Sequence, residues 1–282
     1  MRYKRKQLST LLRNMKQLSP PSNFSKIKVL VSVFLLVPVV CSLSMANGNR
    51  PILISQLFYG YKIEHSYAQF FLIAIKIFLI SLAFPTFTNI VALFFCVLCH
   101  QFCLLLRALT NETNACQPIH FTASKQLTIL QKESEIDNVL AMLQDYFSVT
   151  SLLVFGAYFL CSVSTLGYYI TTAYTTLDIS IGLMLTMYAV CSLAGMMSIL
   201  YVAGGLSIEL NRFKSAFCRK LQERMFLRQG IEEIRPYRGP FDKPDFEFTT
   251  CGILNYNRSN MLTVVGALLT YTIIVFNSKD WS

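Results

Sequence analysis

The sequence predicts an all-α polytopic membrane protein, a bundle of about five transmembrane helices with helical extensions in the cytosol. Of its 282 residues, 54% are hydrophobic and only 14% are charged, whereas soluble domains carry about 25% charged residues. The apolar residues form runs long enough to cross a bilayer core, which takes about 20 helical residues. The 25 Lys and Arg residues lie in blocks between these runs. Blocks of this kind are typical of membrane-protein loops, so the net charge of +10 does not indicate a nucleic-acid partner.

Five apolar runs predict the transmembrane helices. They cover residues 29–46, 67–107, 147–172, 179–206 and 261–278. The first run has a secretory signal peptide as its alternative, because Ser44-Met45-Ala46 resembles a small-residue cleavage site. However, its basic leader is as long as a whole signal peptide, and its apolar core exceeds the usual length of about 7–15 residues. We therefore expect a retained span.

The run at residues 67–107 can hold either one long helix or two spans that turn near Pro85. As one helix its 41 residues would be about 60 Å long. A single helix places 21 of the 25 basic residues on one side of the membrane. Two spans would place the basic amino-terminal block and the basic block at 210–258 on opposite sides of the membrane. Because basic loops stay in the cytosol, the sequence predicts one helix, an internal amino terminus and an external carboxyl terminus.

Three segments are predicted to be cytosolic. They are a basic segment at 1–28, a loop with an amphipathic helix at 108–146, and an anchor segment at 207–260. Apolar residues recur at helical spacing from Leu127 to Phe147, which predicts a helix that continues into the third span. Two interpretations of these extensions remain open. They are basic amphipathic helices lying on the membrane surface, or they form an intracellular helical domain that packs subunits together.

The motif content gives no support for an enzyme or for a cofactor. Cys96-Val97-Leu98-Cys99-His100 matches the pattern of c-type haem attachment, and Cys96, His100 and Cys103 share one helical face. The motif lies inside an apolar helix, however, where we interpret it as coincidence. No P-loop, His-Glu-x-x-His or Gly-x-Ser-x-Gly sequence occurs. We expect no catalytic activity, no metal and no cofactor.

The carboxyl-terminal stretch from Phe248 to Phe276 carries two short motifs in a fixed order. Asn257-Arg258-Ser259 comes first, and Thr270-Tyr271 with five mostly apolar residues follows within the last span. This arrangement resembles the arthropod gustatory receptor family, in which an Asp-Arg-Ser-like element precedes a last span with Thr-Tyr, five mostly apolar residues and Gln-Phe. The chain departs from that pattern at Asn277 and Ser278, which occupy the Gln and Phe positions.

The resemblance implies a chemosensory receptor in the plasma membrane of sensory neurons. Members of that family have seven spans, so the five spans here would correspond to the last five. The resemblance also implies a ligand-gated, non-selective cation channel that detects small-molecule tastants and assembles among membrane lipids as a homo- or hetero-tetramer with related subunits. In the family the last span lines the pore and its outer end forms the gate. The positions this assigns to the pore and gate are Thr270, Tyr271, Ile274, Asn277 and Ser278.

A ligand pocket is expected in the outer halves of the other spans. Aromatic walls with a few polar tips are typical of small-molecule sites. The candidates are Tyr67, Phe70, Phe71, Lys76, Tyr168, Tyr169 and Tyr188. The alternative interpretation is that the tyrosines belong to an aromatic belt at the membrane–water interface. Lys76, about ten residues into its span, is either a functional intramembrane charge or a side chain that reaches the headgroups.

Two other function classes stay open at this point. A non-conducting accessory or truncated subunit is favoured by two observations. The Gln-Phe pair of the family is lost, and the first two of the family's seven spans have no counterpart in this chain. A G-protein-coupled receptor would need an external amino terminus, which the 8 basic residues in 1–28 oppose.

Overall fold

The computed structural model describes residues 25–47, 65–171, 179–227, 248–250, 252 and 254–279, and these residues are nearly all helical. The helices are α1 (Ser25–Ala46), α2 (Ser66–Ser81), a π-helical segment (Leu82–Phe87), α3 (Thr88–Ala115), a 3-10 turn (Pro118–His120), α4 (Ala123–Thr171), α5 (Ile179–Leu227) and α6 (Asn260–Lys279). Two short strands, β1 (Thr249–Thr250) and β2 (Leu254–Asn255), pair in antiparallel fashion.

Five helices in the described part of the chain are long and apolar enough to cross a membrane. They are Ile27–Ala46, Ser66–Ala115, Ala123–Thr171, Ile181–Leu227 and Asn260–Ser278. The predicted all-α fold and the predicted number of about five spans are thus confirmed. The helices α4 and α5 have 49 residues each, so each exceeds by far the length of about 20 residues that a span requires. The side on which each end lies, and the boundaries of the cytosolic segments, stay predictions.

The run around Pro85 forms one candidate span with an interruption. Phe84 has extended backbone angles (φ −146°, ψ 127°) inside the π-helical segment, and the Phe84–Pro85 peptide bond is cis. Proline lacks the N–H group that a helix needs at this point. Residues 66–115 thus form one candidate span that is not an uninterrupted α-helix.

The described residues group into two compact units, which we describe separately. The first, called the span unit, comprises the described residues within Asn23–Phe94, Val154–Met197 and Thr263–Ser282. In it α1 packs against α2. The buried side chains of this contact are Cys41, Met45, Ala46, Ile73 and Ile77, and residues from α5 pack against them.

A hydroxyl group repairs the hydrogen bonding of α1 around Pro38. Proline at this position cannot donate to the carbonyl group four residues earlier, which belongs to Phe34. The Thr86 hydroxyl donates to that Phe34 oxygen over 3.3 Å. An unpaired backbone group costs several kcal/mol in an apolar medium, so Thr86 stabilises a helix that its own sequence would otherwise leave incomplete.

The second unit, called the ion-pair unit, comprises the described residues within Phe95–Leu153 and Ser198–Leu262. Its hairpin pairs Thr249 with Asn255 and Thr250 with Leu254. Gly252 turns the chain with φ at +67°, a backbone conformation that glycine adopts without steric cost. The ring of Phe95 contacts three aromatic rings at centroid distances of 5.3 to 6.3 Å, those of Phe147, Phe248 and Tyr256. These buried rings fix the hairpin to α3 and α4.

Candidate functional site

The interruption of the second span brings one phenylalanine ring against two tyrosine rings. Phe84 contacts Tyr158 of α4 at a centroid distance of 6.4 Å and Tyr188 of α5 at 6.2 Å. The contact with Tyr188 is edge-on, with an interplanar angle of 87°, a favourable arrangement for aromatic pairs. The non-helical backbone at Phe84 therefore connects three helices of the span unit through aromatic contacts.

Polar groups surround these rings. The buried Tyr158 hydroxyl donates to Asn89 Oδ1 over 2.7 Å, and the Tyr188 and Ser81 hydroxyl oxygens lie 2.8 Å apart. Ser192 lies on the same face of α5, four residues after Tyr188 and three before Gly195, where a Cβ would meet the Tyr158 ring. We call the set formed by Ser81, Phe84, Asn89, Tyr158, Tyr188 and Ser192 the interruption cluster.

Ser192 differs from the other members because its hydroxyl has no partner among the described residues. The residue is completely buried, and its Oγ makes no hydrogen bond within the described part of the chain. A buried polar group without a hydrogen bond costs about 1–3 kcal/mol. The interruption cluster thus contains a polar atom that a bound molecule with a hydrogen-bonding group could satisfy.

The predicted ligand-pocket residues are divided by the structure into two groups. Tyr67, Phe71 and Tyr168 are exposed on the chain by 85%, 61% and 41%. Phe70 packs against the buried contact of α1 and α2, and Lys76 is half-buried. The role of these five residues in ligand binding stays a prediction.

The remaining two pocket candidates make specific polar contacts. The Tyr169 hydroxyl donates to the Gly182 carbonyl over 2.7 Å and lies 2.6 Å from Thr186 Oγ1. Tyr188 belongs to the interruption cluster, as described above. Both tyrosines therefore have their hydroxyl groups held between helices of the span unit.

The final helix, α6, is the least buried of the five candidate spans. Only 11% of its most apolar window is buried within the chain, compared with 22–33% for the other four. Its packed side includes Val264, Leu268 and Val275, at spacings of four and seven residues. An exposed stripe follows another face at spacings of three and four residues: Thr263, Gly266, Thr270, Ile274 and Asn277.

The predicted pore residues do not all share this stripe. Thr270, Ile274 and Asn277 lie on it, and Ser278 is exposed next to it. Tyr271 is half-buried, and its hydroxyl oxygen is 2.8 Å from the position that a Cβ on Gly167 would take. The Thr270 and Ser278 hydroxyls donate to carbonyl groups of their own helix, Gly266 and Val275. Their oxygens can still accept hydrogen bonds from water.

In the ion-pair unit, the chain entering α6 is held by one arginine. The Arg258 backbone N lies 2.8 Å from the position that a Cβ on Gly204 would take. Its guanidinium lies 4.2 Å from the centre of the Tyr201 ring, and its Nε donates to the Tyr201 carbonyl. Glycine at position 204 therefore permits a backbone approach that any side chain would prevent. Arg258 belongs to the element on which the resemblance to gustatory receptors partly rests.

Two glutamates of the ion-pair unit each hold two basic residues. The buried Glu209 pairs with Arg107 at 2.8 Å and with Arg212 at 3.2 Å. Glu112, which lies beyond the predicted end of its span, pairs with Lys125 and Lys132. Hydrogen bonds from these two lysines hold the pKa of the Glu112 carboxyl below its ordinary value.

Metal ligands are not assembled anywhere in the described residues, where no group of three or more His, Cys, Asp and Glu side chains is placed to hold an ion. Of the three residues on one helical face noted above, Cys103 is buried while His100 is exposed. Their shared face in the sequence does not translate into a common direction towards one point.

Sequence reasoning did not identify Phe84, Asn89, Tyr158 or Ser192. One signal was available, since Asn89 is a polar residue within an apolar run, four residues after Pro85. The other contacts carried no local signal, because Tyr158 and Ser192 lie on helices far away in the sequence.

A family model described as 7tm Chemosensory receptor matches residues 5–280. A comparison with curated proteins returned no match.

Proposed function

The chain belongs to the 7tm Chemosensory receptor family, and we propose that within it the chain acts as a gustatory receptor. Its family and its five apolar helices identify it as a membrane protein. In this proposal it is a subunit of a ligand-gated, non-selective cation channel in the plasma membrane of sensory neurons. Its ligands are small-molecule tastants.

The exposed stripe on α6 is the observation that carries the channel proposal. Its residues are small or polar at four of five positions, which is unfavourable for a surface that meets lipid alone. Symmetric assembly of several subunits would bring copies of one such helix together around a common axis. Thr270 and Asn277 would then supply polar atoms to an aqueous pore, and Ile274 a hydrophobic constriction.

A recording experiment tests the pore. Thr270→Cys and Asn277→Cys should make the current sensitive to a membrane-impermeant thiol reagent, because both positions are exposed on the stripe. Whole-cell current is measured before and after the reagent, and the parent chain gives the baseline for its own nine cysteines.

Leu268→Cys is the matched control, since residue 268 is on the packed side of the same helix and only 6% exposed. Equal sensitivity at positions 268 and 277 would contradict the assignment of this stripe to the pore. Absence of current from the chain alone, with current restored by co-expression of a related subunit, would favour an accessory role. That second candidate is favoured by Asn277 and Ser278, which depart from the Gln-Phe pair.

The interruption cluster is the ligand site in this proposal. Phe84 and the two tyrosines supply aromatic surface, and the unpartnered Ser192 hydroxyl supplies a polar group that a ligand can bond. Aromatic walls with a few polar groups are the usual composition of such sites. Molecules that combine a ring or hydrocarbon surface with hydroxyl groups fit this chemistry.

Ser192→Ala tests the ligand site. Its hydroxyl bonds nothing in the described residues, so its removal should leave the thermal stability of the protein unchanged or slightly higher. If the ligand bonds this hydroxyl, the half-maximal concentration of an activating sugar or bitter compound should rise about fivefold to tenfold, as for loss of one hydrogen bond.

Ser162→Ala is the control for this test. Ser162 is equally buried, but its hydroxyl donates to the Tyr158 carbonyl, so its removal should affect stability more than ligand response. Dose–response curves for Ser192→Ala that superimpose on the parent's for every activating compound would place the ligand elsewhere.

A further inference from the structure

An open groove of about 620 Å³ lies between α3 and α5 within the ion-pair unit. Six of the eight residues that line it have polar side chains: Thr110, Asn114, Asn211, Arg212, Ser215 and Arg219. Ile208 and Ala216 complete the lining, and apolar atoms make up the larger part of its surface. The volume is in the range of about 300–1,000 Å³ that small-molecule sites occupy. The polar side chains can bond the charged and hydroxyl groups of a ligand.

The charge around the groove is positive even after its ion pairs are taken into account. Residues 207–227 contain five basic and two acidic side chains. Each of the two acids already contacts two basic residues: Glu209 pairs with Arg107 and Arg212, and Glu223 with Arg219 and Lys220. No carboxylate belongs to the described lining of the groove. The uncompensated charge favours an anionic ligand.

The two arginines of the lining are held in position but remain accessible. Arg219 donates to Asn114 Oδ1 over 2.9 Å, and Arg212 donates to Glu209 over 3.2 Å. Their side chains are nevertheless 63% and 65% exposed. A guanidinium has five N–H donors, so each retains donors for a further acceptor. The fork of the guanidinium matches phosphate oxygens in geometry.

The spacing of these arginines selects among anions. Arg212 and Arg219 are seven residues apart on one helix, which is two turns and about 10 Å along the axis. A ligand with two phosphate groups can bond both at this spacing, whereas a single inorganic phosphate would require the two side chains to converge. Ser215 lies between them and Asn211 directly precedes Arg212, and both are exposed, so their side chains can bond the sugar-like part of a larger molecule.

We propose that this groove binds a molecule carrying at least two phosphate groups on a hydroxylated ring, with Arg212 and Arg219 each holding one phosphate. Two sources share this chemistry: an inositol lipid with a phosphorylated headgroup, and a soluble inositol phosphate. The predicted fourth span ends at residue 206, so Arg212 and Arg219 lie about 9 Å and about 20 Å beyond it along the helix. The headgroup layer is about 5–8 Å deep on each side of the hydrocarbon core, so a lipid headgroup has to project from that layer to contact both arginines, whereas a soluble molecule reaches them from solution.

Binding is tested on the purified full-length chain with inositol trisphosphate as the soluble probe. Titration calorimetry in detergent should give binding that inorganic phosphate at the same concentration does not give. Arg219→Gln should weaken the affinity by about tenfold or more, since a charge-assisted hydrogen bond is lost. Arg219→Lys keeps the charge but not the fork and should fall between Arg219→Gln and the parent.

Lys132→Gln is the matched control, because it removes one positive charge from the same unit outside the groove. Its affinity should equal that of the parent. An equal loss in Lys132→Gln and Arg219→Gln would reduce the effect to general electrostatic attraction and overturn the site. Unchanged affinity in Arg219→Gln would overturn it as well.

A second experiment, in lipid nanodiscs, distinguishes the inositol lipid from the soluble inositol phosphate. Inositol trisphosphate is titrated against the chain in nanodiscs with phosphatidylinositol bisphosphate, and in nanodiscs in which phosphatidylserine supplies the same charge. If the lipid headgroup occupies the groove, the soluble probe binds only in the phosphatidylserine discs. Equal binding in both discs assigns the groove to the soluble molecule.

A second copy of this chain is the remaining occupant to exclude. If neither disc binds the probe and Ser215→Cys forms disulfide-linked dimers, the groove is a contact between subunits and the proposal is wrong.

Discussion

The span unit and the ion-pair unit share one way of satisfying polar groups and differ in a second. In both units, hydroxyl groups donate to carbonyl groups four residues earlier in their own helices. Examples are Ser162 and Thr165 in the span unit, and Thr113 and Ser151 in the ion-pair unit. In the ion-pair unit, carboxylates and basic side chains pair across helices, as Glu209 and Glu112 do. Neutral local hydrogen bonds suit a medium without water, whereas exposed ion pairs require one that hydrates charges.

The units also differ in the kind of contact their glycines permit. In the span unit, a Cβ on Gly195 would lie 2.6 to 2.8 Å from three atoms of the Tyr158 side chain, and Tyr158 is completely buried. In the ion-pair unit, a Cβ on Gly205 would approach the end of the Arg258 side chain at 3.1 Å. A buried ring cannot move away as an exposed guanidinium can. The comparison therefore teaches that tolerance of a Cβ depends on the neighbouring atom: in the ion-pair unit, too, a Cβ on Gly204 would lie 2.8 Å from the Arg258 backbone nitrogen, which cannot move away.

The largest expected effect comes from Gly195→Ala. The added methyl group would overlap the Tyr158 ring and should destabilise the protein by about 1–3 kcal/mol, as overpacking of a buried site does. It should also disturb the hydrogen bond from Tyr158 to Asn89. Thermal unfolding in detergent, followed by size-exclusion fluorescence, measures the change.

Gly156→Ala is the control for this substitution. A Cβ at position 156, on a helix of the same unit, meets no atom within 4 Å, and alanine in a helix gains about 0.5–1 kcal/mol over glycine. The two substitutions should shift the melting temperature in opposite directions. A Tyr158→Leu exchange should restore part of the stability lost in Gly195→Ala, and failure of that rescue would count against the clash as the cause.

The smallest effect is expected from Glu112→Gln in the ion-pair unit. It removes the carboxylate that Lys125 and Lys132 share, but all three side chains are at least 32% exposed, so water and salt screen the pairs. The melting temperature should fall by no more than about 2 °C at low salt. The difference from the parent should vanish in high salt.

The effect of Glu112→Gln should also depend on pH in one direction. The pKa of Glu112 is lowered in the folded protein, so its stabilising contribution is present above the ordinary carboxyl pKa. It is lost as the pH falls through the lowered folded-state pKa. Glu135→Gln makes the same exchange at an exposed glutamate without an ion pair in the described residues, and should show neither dependence. Similar behaviour of the two variants would remove the ion pairs as the cause.

Much of the fold could be predicted from the sequence, because a membrane span is a local property. About 20 consecutive apolar residues suffice to specify one, and no knowledge of neighbouring helices is needed. The count of basic residues on each side also favoured a single span at 67–107 over two. Pro85 was recognised as a possible turn, but the extended backbone of Phe84 depends on how the flanking helices pack.

The candidate site was less accessible to sequence reasoning. Helical periodicity identifies residues that share a face, as with the stripe of Thr263, Thr270 and Asn277, but not the neighbour that this face meets. Tyr271 shows the limit: the motif associates it with the pore-lining span, while the structure holds its hydroxyl against Gly167. Tyr188 was identified as aromatic surface in a span, but its bond to Ser81 was not.

The sequence by itself thus determined the class of protein, the number of apolar helices and the family to which its last span is similar, because each of these is written in short contiguous stretches. Only the tertiary structure decided that Phe84, Tyr158 and Ser192 form one cluster and that Arg212 and Arg219 share a groove with α3. Such contacts join residues distant in sequence, and they follow from the packing of complete helices against one another.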